Sequence, residues 1–162
     1  MFREMRRKKQ VMSEADSIAV LERNTAGVLA VAGDDDYPYA VPLSYVYCDG
    51  RIYFHTAKEG HKVEAIKKQE KVSFCVVDED KIVPEEYTTY FRSVIAFGKA
   101  RFLAEDEKME AVLKLCRKYC PDQTEEDTDK AINASYANME MVEISIDHLS
   151  GKEAIEFVNM KK

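Results

Sequence analysis

The chain has 162 residues, 46% of them apolar, and a net charge of −6. That length suits one domain with a real core, able to bury roughly 70% of its unfolded surface, and the apolar fraction excludes disorder. The acidic balance argues against general nucleic-acid binding, and no apolar run approaches the ~20 residues of a membrane helix.

The first ten residues, "MFREMRRKKQ", are basic, and no apolar segment follows them. They are therefore not read as a secretory signal, and a cytoplasmic protein is expected. Residues 1–12 are expected to form a basic N-terminal arm in solvent, with contact to an anion as the alternative. "SEADSIAVLERN" reads as a helix capped by Ser13, with Asp16 three residues on and Ile18 and Leu21 facing inward. "GVLAVAG" reads as a buried strand and "DDD" as a polar turn.

"YPYAVPLSYVYC" and "RIYFHT" flank Asp49-Gly50, a strong hairpin signal because a tight primed turn needs positive φ at its centre. Pro38 and Pro42 lack N–H donors and place this strand at an edge, a bulge or a ligand-facing position. Val41, Leu43 and Tyr45 alternate with Pro42, Ser44 and Val46, so the two sets face opposite sides. "GHKVEAIKKQ" reads as a short helix with Val63 and Ile66 inward, and "KVSFCVVD" as a strand. "EDKIVPEE" reads as a loop around Pro84. "YTTYFRSVIAFGKARFLA" is one long strand, or two joined at a bend near Gly98.

"EDEKMEAVLKLCRKYC" is an amphipathic helix with Met109, Val112, Leu113, Leu115 and Cys116 toward the core, and Pro121 stops it. A polar loop with a short helix follows, and "MEMVEISIDHL" returns as a strand. Strands in hairpins dominate the centre, so the pattern predicts an antiparallel sheet or small barrel decorated by helices. The six glycines are too scattered for a dinucleotide or P-loop signature. Cys116 and Cys120 share a helix face, but no histidine or further cysteine lies near them, and no metal site is expected. Cys48 and Cys75 read as small buried hydrophobes.

"FHTAKEGHK", residues 54–62, concentrates the polar chemistry. Strand alternation puts Tyr53 and His55 on one face, and Ile52, Phe54 and Thr56 on the other. Gly60, His61 and Lys62 stand where a helix begins, and a helix start presents free N–H groups and a partial positive charge. With the Thr56 hydroxyl and the Lys62 charge, this corner suits a phosphate. Local capping by Thr56, a solvated Gly-His-Lys turn and a core role for His55 are the bland alternatives.

"MRRKKQ", "GVLAVAGDDDYPYAVPLSYVY", "GRIYFHTAKEGHKVEAIKK", "KVSFCVV", "YFRSVIAFGKARFL" and "SIDHLSGKEA" occur in that order, from about Met5 to Ala154. As an ordered set they resemble the nitroimidazole-resistance branch of the pyridoxamine 5'-phosphate oxidase-like flavoproteins. The resemblance implies a mainly β fold: one FMN-binding split β-barrel, antiparallel and of Greek-key type, with peripheral helices, over residues 1–162. It implies a homodimer with FMN in a groove between subunits. Pro42, Leu43, Ser44 and Tyr45 would flank the flavin ring, largely through backbone groups. His55, Thr56, Ala57, His61 and Lys62 would form the ribityl-phosphate end, with Arg92 and Ser93 as further candidates. His55 also matches a position next to flavin and substrate, so it is the candidate proton donor.

The implied function is an FMN-dependent reductase of a small, flat, electron-poor acceptor such as a nitroimidazole-type nitro compound. A non-catalytic protein that stores or senses FMN would use the same residues. A pyridoxamine 5'-phosphate oxidase would need a second basic cluster near the ring, and none is visible beyond the N-terminal arm. A dimeric barrel without cofactor is the remaining alternative. Tyr37, Tyr39, Tyr45, Tyr47 and Tyr53 could wall a flat pocket or simply pack the core. "SGKE", Ser150–Glu153, has no role derivable from the sequence.

Overall fold

The computed structural model describes residues 1–161. Helix α1 (Glu14–Arg23) starts where the Asp16 N–H donates to Ser13 Oγ at 3.0 Å. Its buried stripe is Ser17, Val20 and Leu21, so Ile18 flanks the core rather than entering it. Then come β1 (Ala26–Ala32), β2 (Pro38–Ser44), β3 (Val46–Cys48) and β4 (Arg51–Ala57). Asp49 and Gly50, at φ 48° and 77°, form the expected tight turn between β3 and β4. Helix α2 (His61–Lys68) buries Val63, Ala65 and Ile66.

Strands β5 (Lys71–Val83) and β6 (Thr88–Phe102) form one long hairpin. The expected loop at "EDKIVPEE" is corrected here: Asp80, Lys81, Ile82 and Val83 pair with Phe91, Tyr90, Thr89 and Thr88. Asp80, Lys81 and Ile82 are all exposed, so apolar alternation had nothing to report and backbone pairing alone makes the strand. β6 is a single strand, with a register shift at Phe97/Gly98. Helices α3 (Glu105–Tyr119) and α4 (Glu125–Ser135) follow, then β7 (Met139–Glu153) and α5 (Ile155–Met160). α3 buries Ala111 and Val112, whereas Met109 is 40% exposed and does not face the core. It also buries Lys108, whose ammonium donates to the Tyr136 carbonyl at 2.8 Å.

The seven strands of the described residues form one antiparallel sheet in the order β2-β1-β5-β6-β7-β4-β3. Its two edge strands are consecutive in the chain, separated by Tyr45 alone. One length of chain thus borders both ends of the sheet, and the barrel closes, with a split, at that residue. The core inside includes Leu29, Tyr45, Ile52, Phe54, Phe74, Val94 and Ile144. A second cluster, with Tyr53, Leu103, Val112, Ile132 and Met141, lies on the outer side of β4 and β7 beneath α3 and α4.

The N-terminal arm is not a solvated tail. Gln10 and Met12 are buried, the Met12 N–H donates to the Gly151 carbonyl at 2.9 Å, and the Phe2 ring stacks on His148 at 4.6 Å. This gives "SGKE" its role. A Cβ at Gly151 would collide with Ser17 Oγ and Met12, so only glycine lets α1 and the arm seat on β7. Buried Glu153 accepts from Arg92 and Lys161. All four cysteines are free, with Cys48 and Cys75 only half-buried. No helix among the described residues is long and apolar enough to cross a membrane.

Candidate functional site

β4 pairs with β7 along its whole length, but with β3 only from Arg51 to Tyr53. Beyond Tyr53 its second edge has no strand partner. β2 is bonded to β1 from Pro38 to Ser44 and also has one edge without a strand. Extending the β3–β4 register past Val46↔Tyr53 would set Ser44 opposite His55, but Ser44 pairs with Ala26 instead. The split therefore opens at Ser44 and His55. At its other end the Tyr39 and His61 rings stack at 4.0 Å. Backbone donors and acceptors along such an edge are available to a ligand.

Tyr45 is the hinge of this split. Its ring is fully buried and its hydroxyl donates to the Leu21 carbonyl at 2.8 Å. The Tyr45 N–H donates to the Tyr119 hydroxyl at 2.9 Å, and that hydroxyl reaches the Tyr45 carbonyl at 2.7 Å. Both backbone groups of Tyr45 are thus already engaged, and sequence reasoning did not identify Tyr119 as their partner. The signal was present: Tyr119 lies three residues beyond Cys116 on the same apolar stripe of α3.

The strand end and helix start assemble much as their residue types suggest. Thr56 is 4% exposed, and its Oγ1 has no hydrogen-bond partner among the described residues. An orphan of this kind calls for an explanation. α2 begins after Gly60, whose φ of 133° favours glycine, and no side chain caps its first turn. Glu64, the acid of that turn, is balanced by Lys67 at 3.0 Å. Lys62 is half-buried and makes no ion pair or side-chain hydrogen bond among the described residues. His61 turns toward β2: its Nε2 lies 3.8 Å from Asp34 Oδ2 and its ring lies on Tyr39. A buried hydroxyl without a partner, an uncapped helix start and an unpaired lysine fit a phosphate group.

The other expected residues separate. Leu43 packs against the core, while Pro42 and Ser44 face outward. His55 and Ala57 are exposed on the outer face of β4. Arg92 is occupied elsewhere: Nη1 donates to Asp78 Oδ2 at 3.0 Å, Nε to Glu153 Oε2 at 3.3 Å, and the guanidinium lies 4.5 Å from the Phe157 ring centre. Burial lowers its pKa, but the bonds to Asp78 and Glu153 outweigh that and raise it. Along β7, His55 is level with Met141 and Arg92 with Glu153. The strand path between these levels is on the order of 40 Å, so Arg92 and its neighbour Ser93 stand at the opposite end of β7 from the level of the notch.

Solved structures resemble this architecture. A candidate 5-nitroimidazole antibiotic resistance protein from Bacteroides thetaiotaomicron matches with a TM-score of 0.74 at 22% identity, over 88% of this chain and 86% of that one. A conserved hypothetical protein from Mycobacterium tuberculosis matches with a TM-score of 0.78 at 21% identity, over 93% and 90%. A FAD-binding protein from Mesorhizobium loti matches with a TM-score of 0.63 at 25% identity, over 89% and 95%. These likenesses establish the split-barrel fold. No curated protein matches the chain. The family profile described as pyridoxamine 5'-phosphate oxidase matches residues 13–153. With its split at Tyr45 and its glycine-opened notch, the chain belongs to the pyridoxamine 5'-phosphate oxidase-like family.

Proposed function

We propose that the protein is a flavin-dependent reductase that uses FMN and acts on a small, flat, electron-poor acceptor. The observation that carries this reading is the buried, orphaned Thr56 hydroxyl at the end of β4, which the chain follows with the uncapped start of α2 and the unpaired Lys62. These groups would hold the FMN phosphate: Thr56 donates one hydrogen bond, the first-turn N–H groups supply others, and Lys62 supplies charge. The strand edges along the split, near Pro42, Leu43 and Ser44, would orient the polar rim of the ring through backbone groups. FMN, when bound, supplies reversible electron and hydride transfer. His55, at the mouth of the split, would hold a proton at an imidazole nitrogen and deliver it to the acceptor, because imidazole exchanges protons near neutral pH. The name of the Mesorhizobium relative supports FAD as the second cofactor reading. The free thiols suit a reducing compartment such as the cytoplasm.

A homodimer completes the proposal. The sheet register builds an outward row Pro42–Val28–Cys75–Ile95–Ser150 and a second row Ala40–Ala30–Ser73–Phe97–His148. Val28, Ile95 and Phe97 are 37%, 39% and 38% exposed. A face of small and apolar side chains on five strands supports pairing with a second copy. In this arrangement Arg92 and Ser93 would join the flavin site from that second copy.

The test is direct. FMN at about 100 times its dissociation constant should add roughly 2.7 kcal/mol of stability, read as a rise in melting temperature; protein that stays colourless and gains nothing from FMN or FAD overturns the reading. His55→Ala at saturating FMN should keep the cofactor and lose turnover. Full turnover would remove His55 as the proton donor.

A further inference from the structure

A groove of about 390 Å³ runs between α3 and α4 on one side and the outer face of β4 and β7 on the other. We infer that this groove binds a neutral, planar aromatic molecule of one or two rings and is the acceptor site of the reductase, a role that rests on the flavin reading above. Met139 and Met141 line its floor, level with Ala57 and His55 across the β4–β7 pair. Val112 and Leu115 from α3 and Ile132 from α4 form apolar walls. Ser44 and His55, the two residues flanking the mouth of the split, both line it as well. A molecule in the groove therefore meets hydrogen-bonding groups where the split opens.

The chemistry of the lining selects the occupant. Among the described residues no Lys, Arg, Asp or Glu lines the groove, so away from His55 at its mouth an ionised ligand would lose water without gaining a counter-charge. That argues against an anion such as pyridoxamine phosphate here. Apolar walls with a few placed polar groups are the usual profile of a small-molecule site. Four sulfur side chains, Met139, Met141, Cys116 and Cys120, line this one space. Thioethers and thiols are polarisable and make favourable contacts with aromatic rings. Burial, with nearby Cys120 adding to it, pushes the Cys116 thiol up, so it presents a neutral S–H wall. Among the described residues no group of three or more His, Cys, Asp or Glu could hold a metal ion.

Nitrobenzene and its anionic relative nitrobenzoate are suitable probes, titrated into flavin-free full-length protein by calorimetry. Nitrobenzene should bind saturably and nitrobenzoate about tenfold more weakly or worse, a difference of roughly 1.4 kcal/mol. Cys116→Phe and Leu115→Phe, which fill the groove, should each weaken nitrobenzene by a similar factor and leave FMN affinity unchanged. In the unaltered protein, saturating nitrobenzene should slow alkylation of Cys120, the exposed groove thiol, and leave Cys48 alkylation as it was. Equal binding of the two probes, no Cys120 protection, or folded variants that bind nitrobenzene as well as the parent does, overturns the groove. Failure of FMN to bind the unaltered protein overturns the reductase reading alone, because the nitrobenzene titration contains no flavin.

Discussion

A single hydroxyl separates the proposed phosphate notch from an ordinary strand end. Thr56 Oγ1 is buried without a partner, so removing it should cost the fold nothing, since burying a bare hydroxyl is unfavourable. Thr56→Val should therefore keep or raise the melting temperature while weakening FMN by about tenfold, the roughly 1.5 kcal/mol of a hydrogen bond to a charged group. Lys62→Ala should weaken FMN as well; a Thr56→Val protein with unchanged FMN affinity would remove this hydroxyl from the site. Asp78 is the contrasting case, a residue that is fully satisfied. Burial raises the pKa of its carboxyl, but hydrogen bonds from Arg23, Asn24 and Arg92 outweigh burial and hold it well below the carboxylate range. A depressed folded-state pKa means that the folded chain binds fewer protons than the unfolded chain. The stabilisation is therefore complete above the unfolded value of about 3.9 and drains away as pH falls below it toward the folded value. Asp78→Asn should lose about 2–3 kcal/mol at neutral pH, less than a fully buried pair because Arg23 is half exposed. It should also flatten the loss of stability below pH ~4, measured by urea denaturation across pH. The strand end carrying Thr56 and the helix start carrying Lys62 were legible in the sequence because a strand end followed by Gly-His-Lys is a local pattern. The engagement of Arg92 with Asp78 and Glu153 was not, since these partners lie on β5 and β7 and only the sheet register brings them together.

At the scale of elements, the Tyr45 junction has to satisfy its backbone without a neighbouring strand. β2 pairs with β1 on one side of it and β3 with β4 on the other, so neither ladder continues through it, and the Tyr119 hydroxyl at the end of α3 takes both backbone groups. Tyr119→Phe should cost about 1–3 kcal/mol, the penalty for stranding buried polar groups, and should speed hydrogen exchange at the Tyr45 amide. An unchanged urea midpoint together with unchanged exchange would show that the junction holds without the phenol. The helices and the Asp49-Gly50 hairpin were legible because caps, periodicity and turn chemistry are local signals. The outer half of β5 was not, because an exposed two-stranded ribbon buries too little to impose a pattern. Nor was the extension of β7 through Glu153: Gly151, Lys152 and Glu153 pair with Val94, Ser93 and Arg92 of β6, and the seat that Gly151 provides for Met12 and Ser17 likewise joins distant parts of the chain.

For the whole molecule, the split itself decides what a second copy must do. The sequence shows one apolar run from Tyr37 to Cys48, and nothing local says that its halves serve opposite edges of one sheet. Tyr45 becomes a hinge only once the barrel has curled, so a fold-level resemblance could name the split while periodicity could not locate it. The same closure leaves Val28, Cys75, Ile95 and Ser150 in one outward row. A specific dimer needs roughly 800 Å² per partner with a desolvated centre, and Ile95 lies within that row between Cys75 and Ser150. Its side chain points away from the core, so Ile95→Glu should leave the monomer folded while placing two carboxylates in the shared face. The unaltered protein should sediment as a dimer at micromolar concentration, and Ile95→Glu as a monomer with native circular dichroism. In the proposed homodimer Arg92 and Ser93 would come to the notch from the second copy, so that monomer should also hold FMN less tightly. An unaltered protein that sediments as a monomer with FMN bound would place the whole flavin site within one chain and exclude Arg92 from it.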